Sequence, residues 1–229
     1  IEKITSNLSI KSFFQKNFTI DDLEVLSKKI KLKDTISILR VFKNSPELFI
    51  FEKIIENGFI VLDVKLNFDD KGNINKNYSI NGFLSDGIFK LLKNGRLEDL
   101  NLSFEITNNE YLLKNIKSNY KKIKINSKKI KISNKKEFFF IEGDLSNPEL
   151  EISENLISHI FKKELNLINF QNLKLSSSND FSFVINKNFK ISELDIKSNI
   201  GLKNLDYNSN NESIKNLLPS FNNNMRFQD

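Results

Sequence analysis

Leu62, Val64, Leu66 and Phe68 alternate with Asp63, Lys65, Asn67 and Asp69, and this rhythm recurs along most of the chain. Successive side chains of an extended strand point to opposite faces, so a period of two buries one face and wets the other. Leu100, Leu102, Phe104 and Ile106 alternate with Asn101, Ser103, Glu105 and Thr107 in the same way. Ile123 and Ile125, then Ile130 and Ile132, are interleaved with lysines; Phe181, Phe183 and Ile185 repeat the pattern, as do Leu194 and Ile196. Turn-forming residues punctuate the runs: Asp69-Asp70-Lys71-Gly72-Asn73, Ser85-Asp86-Gly87, Lys93-Asn94-Gly95, Thr107-Asn108-Asn109, Ser133-Asn134-Lys135 and Ser178-Asn179-Asp180. Many one-sided strands between such turns predict a mainly β, antiparallel protein with one wet sheet face.

Few helices fit. Residues 34–42 read as one, with Asp34 as N-cap and Ile38, Leu39 and Phe42 on one face. Residues 46–56 read as a second, with Ser45 capping, Pro46 first, Leu48, Phe51, Ile54 and Ile55 inward, and Asn57-Gly58 closing it. A third fits 154–163, a short turn fits 11–16, and a last short helix fits 214–218 after the polar stretch 208–213. The third helix splits the strand run, which predicts two blocks, 1–148 and 149–229, parting at Asn147-Pro148. One internal echo pairs Asn81-Gly82-Phe83-Leu84-Ser85-Asp86 with Glu142-Gly143-Asp144-Leu145-Ser146-Asn147, each read as a strand end running into a turn.

Composition removes whole classes of chemistry. No Cys is present, so there is no disulfide, thiolate nucleophile or thiolate metal site. His159 is the only imidazole, which leaves no multi-His metal site and reads as a helix-surface residue rather than a general base. The formal net charge is +6, yet only three of the 35 basic residues are Arg (Arg40, Arg96, Arg226). Nucleic-acid readers favour Arg for bidentate contacts, so the basicity does not point to nucleic acid. Asn, Lys, Ile and Phe are abundant while Ala is absent, the signature of AT-rich codons. Asp69-Asp70-Lys71-Gly72-Asn73 lacks the Gly and Glu positions of an EF-hand and reads as a hairpin turn. The lysine pairs 121–122, 128–129 and 135–136 read as a solvated sheet face, with attraction to anionic headgroups or phosphates as the alternative. No catalytic residue, metal ligand or cofactor is expected.

No run approaches the roughly 18–20 apolar residues of a membrane-spanning helix. The chain starts at Ile1 and ends at Asp229 without terminal signals, so a fragment of a longer protein is expected.

Several segments between Ser9 and Gly143 carry a family resemblance. They are the stretch 18–32 leading into Asp34-Thr35-Ile36-Ser37-Ile38-Leu39-Arg40, then Pro46-Glu47-Leu48-Phe49, Asn57-Gly58-Phe59-Ile60 and the 68–72 turn. Tyr78-Ser79-Ile80-Asn81-Gly82-Phe83-Leu84-Ser85-Asp86-Gly87 and Glu142-Gly143-Asp144-Leu145 complete the set. In strand rhythm and Gly-plus-turn punctuation they resemble the AsmA-like family of bacterial envelope proteins, with its TamB-like and YhdP-like members.

The resemblance implies a long curved antiparallel sheet, a half-pipe groove with a few short helices packed at one end or side. It implies a periplasmic location, anchored in the inner membrane by an N-terminal helix not present in this chain. It also implies a lipid-transfer role, with phospholipid acyl chains carried in the groove between inner and outer membranes. Candidate lining residues are Leu62, Val64, Leu66, Phe68, Leu102, Phe104, Ile106, Ile123, Ile125, Phe181 and Phe183. The expected partners are phospholipids and the two membranes, with no nucleic acid. The alternative is a structural scaffold of the envelope that offers its sheet edges to a partner.

Overall fold

A computed structural model of the chain describes residues 1–8, 20–42, 46–69, 73–75, 77–91, 95–121, 123–152, 168–186, 188, 190–209, 216–220 and 224–228. The element order is β1 (Lys3–Leu8), β2 (Ile20–Leu26), β3 (Ile30–Lys31), α1 (Leu32–Phe42), α2 (Pro46–Ile54), β4 (Ile55–Asn67), β5 (Ser79–Leu91), β6 (Gly95–Ile106), β7 (Glu110–Tyr120) and β8 (Ile123–Lys135). It continues with β9 (Phe138–Ile152), β10 (Ile168–Asn186), β11 (Ile191–Ser209) and β12 (Asn224–Gln228). These twelve strands form one open antiparallel sheet in the order β1-β2-β4-β5-β6-β7-β8-β9-β10-β11-β12, with β3 paired to β4. Neighbours in sequence are neighbours in the sheet, as hairpin connections dictate.

By compactness the chain forms two units, residues 1–145 with 180–196, and residues 146–179 with 197–229. The first holds the described core: Leu32 of α1, Ile55 and Ile60 of β4, Leu84 of β5, Leu102 and Phe104 of β6, and Ile116 of β7. In the second, Lys174 reaches Glu151 at 2.9 Å and Glu149 at 3.4 Å, and Arg226 of β12 reaches Asp206 of β11 at 2.7 Å.

Several sequence expectations are corrected. Ser85-Asp86-Gly87 is no turn; it lies inside β5, where Asp86 takes a φ of 55°. Asp99 in β6 and Asn115 in β7 do the same, at 51° and 53°. The register shifts between Leu84 and Gly87 in β5 and between Glu98 and Asn101 in β6. These are β-bulges, and Asp and Asn are the side-chain-bearing residues that best tolerate the left-handed conformation. Polar side chains join them: Asn101 Oδ1 accepts from Asp86 N at 3.3 Å, and Asn101 Nδ2 donates to the Asp99 carbonyl at 2.8 Å. The Asp144 carboxylate of β9 accepts from the backbone N–H groups of Lys128 and Lys129 in β8, each at 2.9 Å at closest.

Ser178-Asn179-Asp180 lies inside β10, and Asn147-Pro148 inside β9, so neither interrupts its strand. Ser133-Asn134-Lys135 ends β8, and the turn falls one step later, at Lys136-Glu137. The echoed segments sit within β5 and β9 rather than at strand ends. Asn57-Gly58 does not cap α2, because β4 begins directly at Ile55 and Gly58 lies within it at a φ of 140°. That φ is one L side chains rarely adopt, and a Cβ there would also stand a tight 3.2 Å from Gly87 Cα, so the position favours glycine.

Helix α1 starts two residues before the expected cap, which places Asp34 in its first turn. Leu32, Thr35 and Ile36, spaced at i, i+3 and i+4, form its inward face, while Ile38 and Leu39 are exposed, at 57% and 45%. Phe51 of α2 is likewise 48% exposed. Of 214–218, residues 216–217 are helical. Ser45 and the expected helices at 11–16 and 154–163 lie outside the described residues.

Gly82 illustrates the tightness of the sheet. A Cβ on it would lie 2.4 Å from Phe104 Cζ and 2.6 Å from the Val61 carbonyl oxygen. The phenyl ring lies over the bare glycine of the neighbouring strand. Gly82→Ala is expected to lower stability by about 1–3 kcal/mol, because a backbone oxygen cannot step aside. Gly201→Ala meets only the rotatable Ser176 hydroxyl and is expected to stay within about 0.5 kcal/mol. Urea midpoints of the two variants test the contrast.

Candidate functional site

Directly opposed residues of an antiparallel pair share a face, so the register defines the apolar surface. One cross-strand row runs Ile4, Val25, Val64, Ile80, Ile106, Tyr111, Ile132 from β1 to β8. The next runs Leu62, Gly82, Phe104, Leu113, Ile130. A third joins Ile30, Ile60, Leu84 and Leu102. Beyond the bulges the same face continues through Ile116 with Ser127, Ser118 with Ile125, and Tyr120 with Ile123.

The bulges preserve this face. Leu84 and Gly87, Leu97 and Leu100, Leu113 and Ile116, and Ser127 and Ile130 are each three residues apart. Strict alternation would put them on opposite sides; one extra residue per strand restores them to the same side.

The expected lining residues divide into two groups. Leu102 and Phe104 are 8% and 9% exposed and belong to the packed core beneath the helices, with Leu62 and Ile106 half-buried against it. Val64, Leu66, Phe68, Ile123, Ile125, Phe181 and Phe183 are half-buried and lie outside that core. Leu66 opposes Leu23 of β2, and Phe68 forms an isolated antiparallel bridge with Ile74. Phe181 and Phe183 stack with ring centroids 5.9 Å apart. Sequence reasoning missed Ile80, Leu113 and Tyr111, which share rows with the named residues. Ile80 sits beside the Asn81-Gly82 segment that was read only as punctuation.

The opposite face is ionic. Lys65 pairs with Glu24 at 2.8 Å, Lys114 with Glu105 at 2.6 Å, and Lys131 with Glu110 at 2.7 Å. Lys65 beside Glu24 and Lys131 beside Glu110 hold those carboxyls below the ordinary carboxylate range, by hydrogen bonding and by charge. The Asp69 carboxylate accepts from Asn73 N at 2.8 Å; Asp70, Lys71 and Gly72 of the expected turn lie outside the described residues.

Among the described residues no group of three or more His, Asp or Glu is placed to hold a metal. No described helix is long and apolar enough to cross a membrane. His159 lies outside the described residues. No family model, curated protein or solved structure matches the chain.

Two predictions separate packing from lining and test the ionic face. Phe104→Ala is expected to cost roughly 3–5 kcal/mol in denaturant unfolding, and Phe183→Ala distinctly less, since Phe104 is buried in the core and Phe183 is half-buried outside it. The Glu110 carboxyl is expected to titrate below its ordinary value by NMR, and Lys131→Gln to return it upward. A depressed folded pKa means that its stabilisation is present above the ordinary carboxylate pKa and is lost as pH falls through the lowered one.

Proposed function

We propose that this chain is a segment of an AsmA-like envelope protein whose apolar sheet face carries phospholipid acyl chains between the inner and outer bacterial membranes. The observation that carries the reading is the row from Ile4 to Ile132: seven strands present large apolar side chains in register, on a face that the two described helices cover only in part. Each acyl methylene transferred from water to such a lining gains roughly 0.8 kcal/mol, without catalysis or cofactor. The helix-covered core supplies rigidity, and the half-buried residues outside it, Val64, Leu66, Ile123, Ile125, Phe181 and Phe183, contact lipid. The ionic face stays in water. In this reading the chain works in the periplasm, and an anchoring helix belongs to a neighbouring part of the protein.

One observation favours the scaffold reading. β1 and β12 are the ends of the strand order, and their outer backbone edges are unpaired among the described residues. An open edge is a template for strand addition by a partner.

Mass spectrometry of organic extracts from detergent-free protein made in a bacterial periplasm distinguishes the two. Near-stoichiometric phospholipid is expected, with a loss of several-fold in the Leu66→Asp variant at unchanged solubility. Lipid-free, monodisperse protein, or undiminished lipid in the folded variant, would overturn the trough.

A further inference from the structure

Strand β11 has an open edge. β10 lies on its inner side, and β12 pairs with it on the outer side only from Asn204 to Asn208. Residues 191–203 of this one strand therefore have no described strand on their outer side. Backbone N–H and C=O groups that point outward from such an edge are a template for another strand.

Its side chains are uncovered as well. Ile191, Leu194, Ile196 and Ile200 are 62%, 61%, 54% and 62% exposed. Glu193 takes a φ of 53°, so regular extended backbone runs from Leu194 onward. From there Leu194, Ile196, Ser198, Ile200 and Leu202 share one face, and Asp195, Lys197, Asn199, Gly201 and Lys203 the other. Among the described residues Glu193, Asp195, Lys197 and Lys203 make no ion pair.

This edge is complementary to itself. Directly opposed residues of an antiparallel pair share a face. A two-fold axis perpendicular to the sheet at Ser198 opposes Leu194 to Leu202 and Ile196 to Ile200, each twice. The same axis brings Glu193 opposite Lys203, also twice. Neighbouring registers match less well. An axis at Lys197 opposes that lysine to its own mate, a destabilising like-charge pair. An axis at Asn199 sets Leu194 against Asn204, whose outer edge β12 already occupies. An axis at Ile196 sets Leu194 against Ser198.

We infer that the β11 edge is a homodimer interface, in which residues 194–202 pair antiparallel with the same residues of a second copy about a two-fold at Ser198. The contact is isologous and closes on itself, so it gives a dimer and not a fibre. It buries Ile196 and Ile200 of both copies side by side and gives Glu193 and Lys203 the partners that the single chain does not supply. The inference is independent of the trough reading.

The test uses the full chain. Sedimentation over a wide concentration range reports the oligomeric state of the protein and of its Ile200→Lys variant. Ile200 is exposed in the single chain, so the variant is expected to fold, which circular dichroism checks. The chain has no Cys, so Ser198→Cys, Lys197→Cys and Asn199→Cys each carry a single thiol. Directly opposed Cβ atoms lie about 4.5–5.5 Å apart, near the reach of a disulfide.

The expected result is a dimer whose dissociation constant rises about tenfold or more in Ile200→Lys, since each substitution places two unpaired ammonium groups at the interface. Mild oxidation should link Ser198→Cys into dimers several-fold faster than Lys197→Cys or Asn199→Cys. Linking that is no faster at position 198 overturns the register, and a dimer that Ile200→Lys leaves intact overturns the edge as its interface. A monomer at every concentration overturns the inference; slow amide exchange over residues 194–203 in that monomer would identify a strand of the same chain as the occupant. None of these outcomes bears on lipid content, so the trough stands or falls separately.

Discussion

An extended chain alternates its side chains, so one added residue in a strand moves everything beyond it to the other face. Long strands such as β5, β6, β7 and β8 run from the helix-covered core to the far end of the sheet, and their backbones twist along the way. Here the extra residues fall on neighbouring strands, with left-handed Asp86, Asp99 and Asn115 marking three of them. Because adjacent strands carry the insertion together, the hydrogen-bonded pairing resumes beyond it. The apolar rows on either side of the bulges then share one face. The core, the open apolar surface and the ionic surface all depend on that re-phasing.

The apolar face serves two physical ends. Where α1 and α2 lie over it, Leu32 and Ile36 close on Ile60, Leu84, Leu102 and Phe104 to make a packed core. Phe104 fills the space above Gly82, so a large side chain and a missing one together make a single layer. Outside the helices the same rows continue with half-buried side chains. A single sheet must cover such a face with something. The proposed acyl chains meet that requirement without a second protein layer.

Much of this was legible in the residues. The period-two runs around Leu62, Leu100, Ile123 and Phe181 fell in β4, β6, β8 and β10, and Thr107-Asn108-Asn109 is a true turn, with Thr107 N donating to the Glu110 carbonyl. The misplaced turns share one cause. Ser85-Asp86-Gly87 and Ser178-Asn179-Asp180 have the composition of turns, but Asp, Asn, Ser and Gly also suit bulges and polar strand faces. Local chemistry specifies a permitted backbone angle, and pairing with flanking strands decides whether the chain reverses there or continues. The three-residue spacings, such as Leu97 to Leu100 and Leu113 to Ile116, were visible and were the available signal.

The sequence by itself determined that the chain is built of one-sided strands, that it carries no thiol chemistry, and which side chains are apolar at alternating positions. These follow from residue identity and local period alone. Only the tertiary structure decided which apolar residues are enclosed and which stay open, because Phe104 and Phe183 have the same side chain and differ only in what lies above them. It also decided that the β6–β7 turn and the end of β8 lie side by side. That meeting depends on the register of β7 against β8, set by hydrogen bonds between residues distant in the chain.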